Sequence, residues 1–223
     1  MCARFSLAGP DRVADRYPGF KLRGSYPRRY NIAPTQDVLA ARNDGNGEIA
    51  PLRWGLVPFW AKELAIGQRL INARAESLTE KPAFRHAIKA RRCLIFADGF
   101  YEWTGLGGRK QPFRFTVDDG APFAFAGLWE TWGHDEQRVE TCTIVTCAPN
   151  ALCASIHDRM PVILDDGAID AWLHGDVADA IAALVPFDHT RMRSTPVTPE
   201  MNRVTFEDPR CVETFALEPL TLL

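Results

Sequence analysis

The second residue of the chain is a cysteine, and that position gives its thiol particular chemistry. Once Met1 is removed, Cys2 carries a free α-amine and a thiol on adjacent carbons. An α-amine titrates at about 7.7–8.0, so much of it is neutral and nucleophilic near neutral pH. The amine can form a Schiff base with an aldehyde, and the thiol can then close a five-membered thiazolidine on the same carbon. Closure within one residue has a high effective molarity, which favours the ring. A cysteine that merely follows the start codon is the plain alternative.

Four other segments hold groups suited to such a reaction. Asn72-Ala73-Arg74-Ala75-Glu76-Ser77 sets an amide, a guanidinium and a carboxylate among small residues; a polar turn with a local Arg–Glu pair has the same composition. Ala97-Asp98-Gly99-Phe100-Tyr101-Glu102-Trp103 surrounds Glu102 with aromatics. Apolar surroundings raise a carboxyl pKa and make it a general acid/base, whereas a solvated Glu at a strand end would do nothing of the kind. Ile156-His157-Asp158-Arg159-Met160-Pro161 offers an imidazole that titrates near neutral pH and a guanidinium fork suited to phosphate. A satisfied structural His fits that segment equally. Trp54-Gly55-Leu56-Val57-Pro58-Phe59-Trp60 places aromatic faces on a stiffened loop. Stacking a base on such a face contributes about 1–3 kcal/mol, although any one of these rings also suits a core.

These groups are scattered over some 155 residues, so strands and turns must gather them. The apolar run Cys93-Leu94-Ile95-Phe96 reads as a strand ending at the Asp98-Gly99 turn pair. Phe113–Val117 alternates with period two, and after Asp118-Asp119-Gly120 the run Phe123–Trp129 follows, which predicts a hairpin. Thr141–Thr146 and Pro161–Leu164 read as further strands. Helices are predicted over 83–90, with Pro82 near the first turn, and over 168–174 and 176–185, capped by Asp165 or Asp166 and by Asp176. A single helical turn is predicted over 150–155. Strands without regular crossover helices predict an α+β fold, with a mostly antiparallel sheet or open β-barrel core and a few peripheral helices. No linker, charge block or repeat divides the chain, so one domain over 1–223 is expected.

The 223 residues are 46% hydrophobic and 24% charged, ordinary for a folded protein, with a formal net charge of −2 that speaks against a generally basic nucleic-acid coat. Of the 26 cationic residues 21 are Arg and five Lys, which favours planar recognition of phosphate or carboxylate or reflects base-composition bias. Apolar runs fall short of a membrane span, and the first residues lack a signal-like apolar stretch, so a cytoplasmic protein with no membrane partner is expected. The six cysteines form no C-x-x-C or zinc pattern, and neither metal nor cofactor is expected.

Together with Tyr30-Asn31-Ile32-Ala33-Pro34-Thr35-Gln36, these segments resemble the SRAP (SOS response-associated peptidase) family of abasic-site processing proteins. The resemblance runs from Cys2 to about Arg210 and rests on Cys2–Phe5, Asn31–Gln36, Arg53–Trp60, Asn72–Ser77, Arg92–Trp103, Thr146–Asn150 and His157–Leu164. It implies a monomeric protein that binds single-stranded DNA at abasic sites and joins Cys2 covalently to the ring-opened sugar. The catalytic set it implies is Cys2, Asn72, Glu102 and His157. Asn72 would hold the sugar or the α-amine, Glu102 would move protons, including those for release of Met1, and His157 would protonate the opening sugar oxygen and assist reversal. The same resemblance gives Arg74 and Arg159 to flanking phosphates, Trp54, Pro58 and Trp60 to flanking bases, and Asn31 and Pro34 to the DNA surface. It also brings peptidase and abasic-site lyase activities into view.

Three residues depart from the family pattern: Ala3 stands where Gly is usual, Phe96 where Pro is usual and Cys147 where Thr is usual. A Cβ at Ala3 would close off positive φ beside the nucleophile. An N-terminal-nucleophile amidohydrolase and a non-catalytic DNA-binding module are the other two readings. Both enzymatic readings require loss of Met1, so intact-mass measurement of the purified protein is expected to show the chain beginning at Cys2; a population that wholly retains Met1 would sink both.

Overall fold

The computed structural model describes residues 2–106 and 109–217. In chain order its elements are β1 (Phe5–Leu7), α1 (Asp11–Arg16), β2 (Lys21–Leu22), β3 (Arg29–Ile32), β4 (Asp37–Arg42), β5 (Glu48–Trp54), β6 (Asn72–Arg74), α2 (Ala87–Ala90), β7 (Arg92–Ala97), β8 (Gly99–Leu106), β9 (Arg109–Val117), β10 (Phe123–Trp132), β11 (Val139–Cys147), β12 (Met160–Pro161), α3 (Ile169–Leu173), α4 (Val177–Ala182) and β13 (Met192–Pro196). Short 3-10 turns join many of them.

The run that reads as a core strand, β7, is buried at all six positions. Such a run must be covered on both faces. One reason is its place in a barrel: β7 pairs antiparallel with both β4 and β10. β4 pairs with β5, and β10 with β11, again antiparallel. β5 then meets β11 in parallel, Thr141 opposite Arg53 and Cys142 opposite Trp54. The ring β11-β10-β7-β4-β5 is therefore closed, where an open barrel was one form of the expectation. Closure satisfies the edges that an open sheet would leave exposed. Outside the ring, Phe96 of β7 packs against Tyr17 at 5.2 Å between centroids, and the Trp172 indole donates to the Cys93 carbonyl at 3.0 Å.

A second, antiparallel sheet has the order β13-β9-β8-β1-β3. The N-terminal strand thus lies inside a sheet, with Phe5 paired to Ile32 on one side and to Phe100 on the other. The α+β class and mostly antiparallel pairing agree with the sequence reading. The hairpin does not. β9 pairs with β8 and β13, whereas β10 belongs to the barrel. Between them Asp118, Asp119 and Gly120 all adopt positive φ (43°, 58° and 83°), and this turn sends the chain from one sheet to the other instead of folding it back.

The predicted helix over 83–90 is helical only at Ala87–Ala90. Asp176 caps α4 by accepting the Asp179 amide, but neither Asp165 nor Asp166 caps α3. The predicted turn over 150–155 is a 3-10 turn at Cys153–Ser155, held by Asn150, whose side-chain oxygen accepts the Cys153 amide at 2.9 Å. No helix among the described residues is long and apolar enough to cross a membrane.

A buried carboxylate straps β1 down. Asp98 Oδ1 accepts the Ser6 hydroxyl at 2.7 Å and Arg114 Nη2 at 3.0 Å, and Oδ2 accepts the amides of Ala8 and Gly9. Gly99 lets this happen, because a Cβ there would lie 2.5 Å from Arg114 Nε. Removing one partner of a buried ion pair strands the other. Asp98→Ala is accordingly expected to cost about 3–5 kcal/mol in urea unfolding, and Asp98→Asn less, since the amide still accepts bonds through one oxygen. A loss below about 1 kcal/mol for Asp98→Ala would show that the strap is dispensable.

Candidate active site

The strap carries the chain back to Cys2, which is fully buried. Its thiol points toward the Arg4 carbonyl at 3.7 Å, and its own carbonyl accepts Asn72 Nδ2 at 2.8 Å. Asn72 opens β6, and β6 is placed by parallel pairing with β11, Asn72 opposite Ile144 and Arg74 opposite Thr146. β5 and β6 thus follow one another along the same edge of β11. Asn72 Oδ1 is buried and has no hydrogen-bond partner among the described residues. An amide oriented by one bond with an idle acceptor can receive a donor from a reacting group.

Glu102 comes from β8, the neighbour of β1. Its residue is 4% exposed. Alternation along β8 sends Tyr101 to the other face, where its hydroxyl donates to the Tyr30 carbonyl at 2.7 Å. Burial pushes the Glu102 carboxyl up, with the nearby His157 pulling the other way. Burial also pushes the Cys2 thiol well up, and the Glu102 carboxylate adds to that shift. Cys153 feels both the same desolvation and Glu102, rising to about 12. Electrostatic influence therefore links Glu102 to Cys2, Cys153 and His157. At neutral pH the Cys2 thiol is a neutral S–H, so it needs a proton acceptor before it can attack.

His157 follows the 3-10 turn at Cys153–Ser155, and its amide donates to the Cys153 carbonyl at 2.9 Å. Its Nδ1 accepts the Arg159 amide at 3.0 Å, while Asp158 Oδ1 lies 2.8 Å from the same nitrogen. Arg159 spends both terminal nitrogens on Glu76, at 2.9 and 3.0 Å, and Nη2 also reaches the Thr146 carbonyl at 2.6 Å. Arg74 is exposed and makes no ion pair among the described residues. Among the described residues no group of three His, Cys, Asp or Glu side chains is placed to hold a metal ion.

A sequence profile described as SOS response associated peptidase (SRAP) matches residues 1–204 of the chain. The chain belongs to the SRAP family. It is 44% identical over 211 residues to the abasic site processing protein YoaM of Bacillus subtilis, covering 91% of this chain and 93% of that one. It is 42% identical over 222 residues to the abasic site processing protein YoqW of the same organism, covering 96% and 99%. An X-ray crystal structure of a protein from Bacteroides thetaiotaomicron superposes with a TM-score of 0.87 at 27% identity, covering 96% of this chain and all of that one.

Within this SRAP chain, the four residues expected to do chemistry, Cys2, Asn72, Glu102 and His157, converge. The expected DNA-contact residues divide. Trp54 is fully buried; its ring packs 5.1 Å from Phe5 and its indole donates to the Ile71 carbonyl at 2.8 Å. It is a core residue and offers no face to a base. Pro58 is buried as well. The exposed aromatics of that loop are Trp60, at 49%, and Phe59, at 57% and absent from the expected set. Asn31 is buried and its side chain is spent: Nδ2 donates to the carbonyls of Met201, Arg203 and Phe206, and Oδ1 accepts Arg4 at 2.7 Å. It ties the C-terminal segment to β3 and has no capacity left for DNA. Pro34 is half-buried.

The local Arg74–Glu76 pair is also corrected, because Glu76 pairs instead with Arg159, 83 residues away. No local signal in the sequence marks that partnership. Ala3 does not adopt positive φ, so its Cβ brings no backbone strain beside Cys2.

The raised carboxyl makes a directional prediction. Glu102 titrates higher in the folded than in the unfolded chain, so the folded form binds that proton more tightly and loses stability as pH rises between the two values. Glu102→Gln cannot ionise. Its urea midpoint is expected to gain on the wild type between acid and neutral pH, and a gap that stays constant across that range would remove buried charge as the cause.

Proposed function

We propose that this SRAP protein processes abasic sites in DNA, capturing the ring-opened sugar in single-stranded DNA as a covalent thiazolidine at Cys2. The observation that carries this reading is the Asn72–Cys2 hydrogen bond together with the buried Glu102 and the half-buried His157, in a chain whose relatives are named abasic site processing proteins. Release of Met1, which lies outside the described residues, belongs to the same proposal and exposes the α-amine.

The steps follow from the groups. His157 gives a proton to the ring oxygen of the sugar while the anomeric hydroxyl loses its own to water, so the ring opens to the aldehyde and the imidazole regains its proton from solvent. The Cys2 amine adds to that carbon, and loss of water leaves a Schiff base. Asn72 holds the Cys2 backbone so that amine and thiol meet the same carbon, which supplies the entropic advantage of a pre-oriented pair. The thiol then adds to the imine carbon, its proton passing through Glu102 to the imine nitrogen. A carboxyl with a raised pKa gives and takes protons near neutral pH more readily than an ordinary one. The same Schiff base makes β-elimination available, and running the closure backwards with His157 reverses the adduct. Arg74, Trp60 and Phe59 are the exposed groups suited to flanking phosphates and bases. We take the working form to be a cytoplasmic monomer.

Incubation with single-stranded DNA bearing one abasic site, followed by a denaturing gel, is expected to give a shifted band. Cys2→Ala should abolish it. Glu102→Gln should slow its formation at least about tenfold with affinity changed less than about twofold, as befits a proton-transfer group. Equal losses in rate and affinity would make Glu102 a binding residue. Glutamine hydrolysis without a band would favour the amidohydrolase, and reversible binding alone a non-catalytic module.

A further inference from the structure

Glu76 is not among the groups assigned above, yet its contacts lead to His157. It sits in the turn after β6, with its side chain 57% exposed. Both its oxygens are taken by Arg159, whose side chain is only 14% exposed and whose guanidinium is further pinned by the Thr146 carbonyl and hydroxyl at 2.6 and 3.3 Å. A bidentate pair of this kind sets orientation as well as energy. The anchored residue is the one whose backbone amide donates to His157 Nδ1 at 3.0 Å.

That nitrogen has a second suitor. Asp158 Oδ1 lies 2.8 Å away, on a side chain that is 88% exposed. The two contacts require opposite states. An amide donor needs a lone pair at Nδ1, and a carboxylate needs a proton there. The neutral ring holds one proton, and its place follows whichever partner is held more firmly. Asp158 is solvated and screened. The Arg159 amide is fixed through its own side chain by Glu76 and Thr146.

We propose that Glu76 is a positioning residue for His157: by locking Arg159 it keeps Nδ1 an acceptor and so holds the neutral ring's proton on Nε2. A ring set in that way offers Nε2–H as a hydrogen-bond donor to the ring oxygen of the sugar; full transfer uses the imidazolium, whose Nε2 also carries a proton. The effect on capture rests on the function proposed above; the effect on the tautomer does not.

Nitrogen-15 NMR of the imidazole in the full chain, without DNA and at a pH where the ring is neutral, tests the tautomer directly. Wild type is expected to show His157 protonated at Nε2. Glu76→Ala should move the population toward Nδ1–H, and Glu76→Gln, which keeps one acceptor, should restore part of the wild-type state. The same tautomer in all three proteins would overturn the proposal.

Capture of abasic DNA gives the second readout. Glu76→Ala should slow crosslinking about fivefold in the wild-type background and not at all in a His157→Ala background, the non-additivity expected of residues acting in series. Equal slowing in both backgrounds would overturn it, as would a rise in affinity for undamaged single strands with an unmoved tautomer, which would make Glu76 a competitor for phosphate. If the wild type forms no crosslink, the proposed function fails while the NMR result still decides the role of Glu76. Glu76 is exposed enough that Glu76→Ala should fold, and a wild-type circular dichroism spectrum and thermal midpoint confirm that the comparison is fair.

Discussion

A nucleophile at residue 2 depends on a chain end that does not fray. Chain ends are ordinarily poorly ordered unless tied down. Here the tie is the buried Asp98 carboxylate, which takes the Ser6 hydroxyl, two amides just beyond β1 and the Arg114 guanidinium. It fastens the first strand between β3 and β8 and brings Cys2 beneath Asn72. Everything proposed for the site presupposes this strap, because the thiol and carboxyl can share one desolvated point only if the first residues are core residues.

Desolvation then sets the character of the site. Burial pushes Cys2, Cys153 and Glu102 toward their neutral forms, and the Glu102 carboxylate adds to the shift of both thiols. Neutral groups with displaced pKa values serve proton transfer, which is the pattern that marks reactive clusters. A thiol so disposed is a poor free nucleophile. In the proposed capture this sets the order, amine first and thiol second, since the thiol attacks only once a neighbouring base takes its proton.

The excess of Arg over Lys has a largely structural explanation. Arg29 pairs with Glu207, Arg42 with Asp44 and Glu140, Arg91 with Glu130, Arg114 with Asp98, Arg159 with Glu76, and Arg191 with Asp118 and Asp165. Planar forks suit such carboxylate pairs, and several of these guanidiniums are at least half-buried. Arg74 is exposed on the strand that carries Asn72, with no ion pair among the described residues. A net charge of −2 is therefore compatible with a DNA surface confined to a few groups.

The groups proposed to react were legible before folding, because a thiol next to an α-amine, a carboxyl among aromatics and a His-Asp-Arg run are covalent facts of the chain. So were the central strand β7, the α4 cap at Asp176 and the α+β class, which rest on local pattern. The hairpin was misread because alternation reports a strand and says nothing of its partner; three successive positive φ values sent β10 to the other sheet. Trp54 and Asn31 were misread because burial depends on what distant segments lay over a residue: Phe5 in one case, residues 201–206 in the other. The Glu76–Arg159–His157 chain spans 83 residues and exists only where β6 meets β11. The sequence by itself determined which chemistry was available; the tertiary structure decided which groups share a desolvated point and which are spent on holding it, since pairing and burial are set by contacts between residues far apart in the chain.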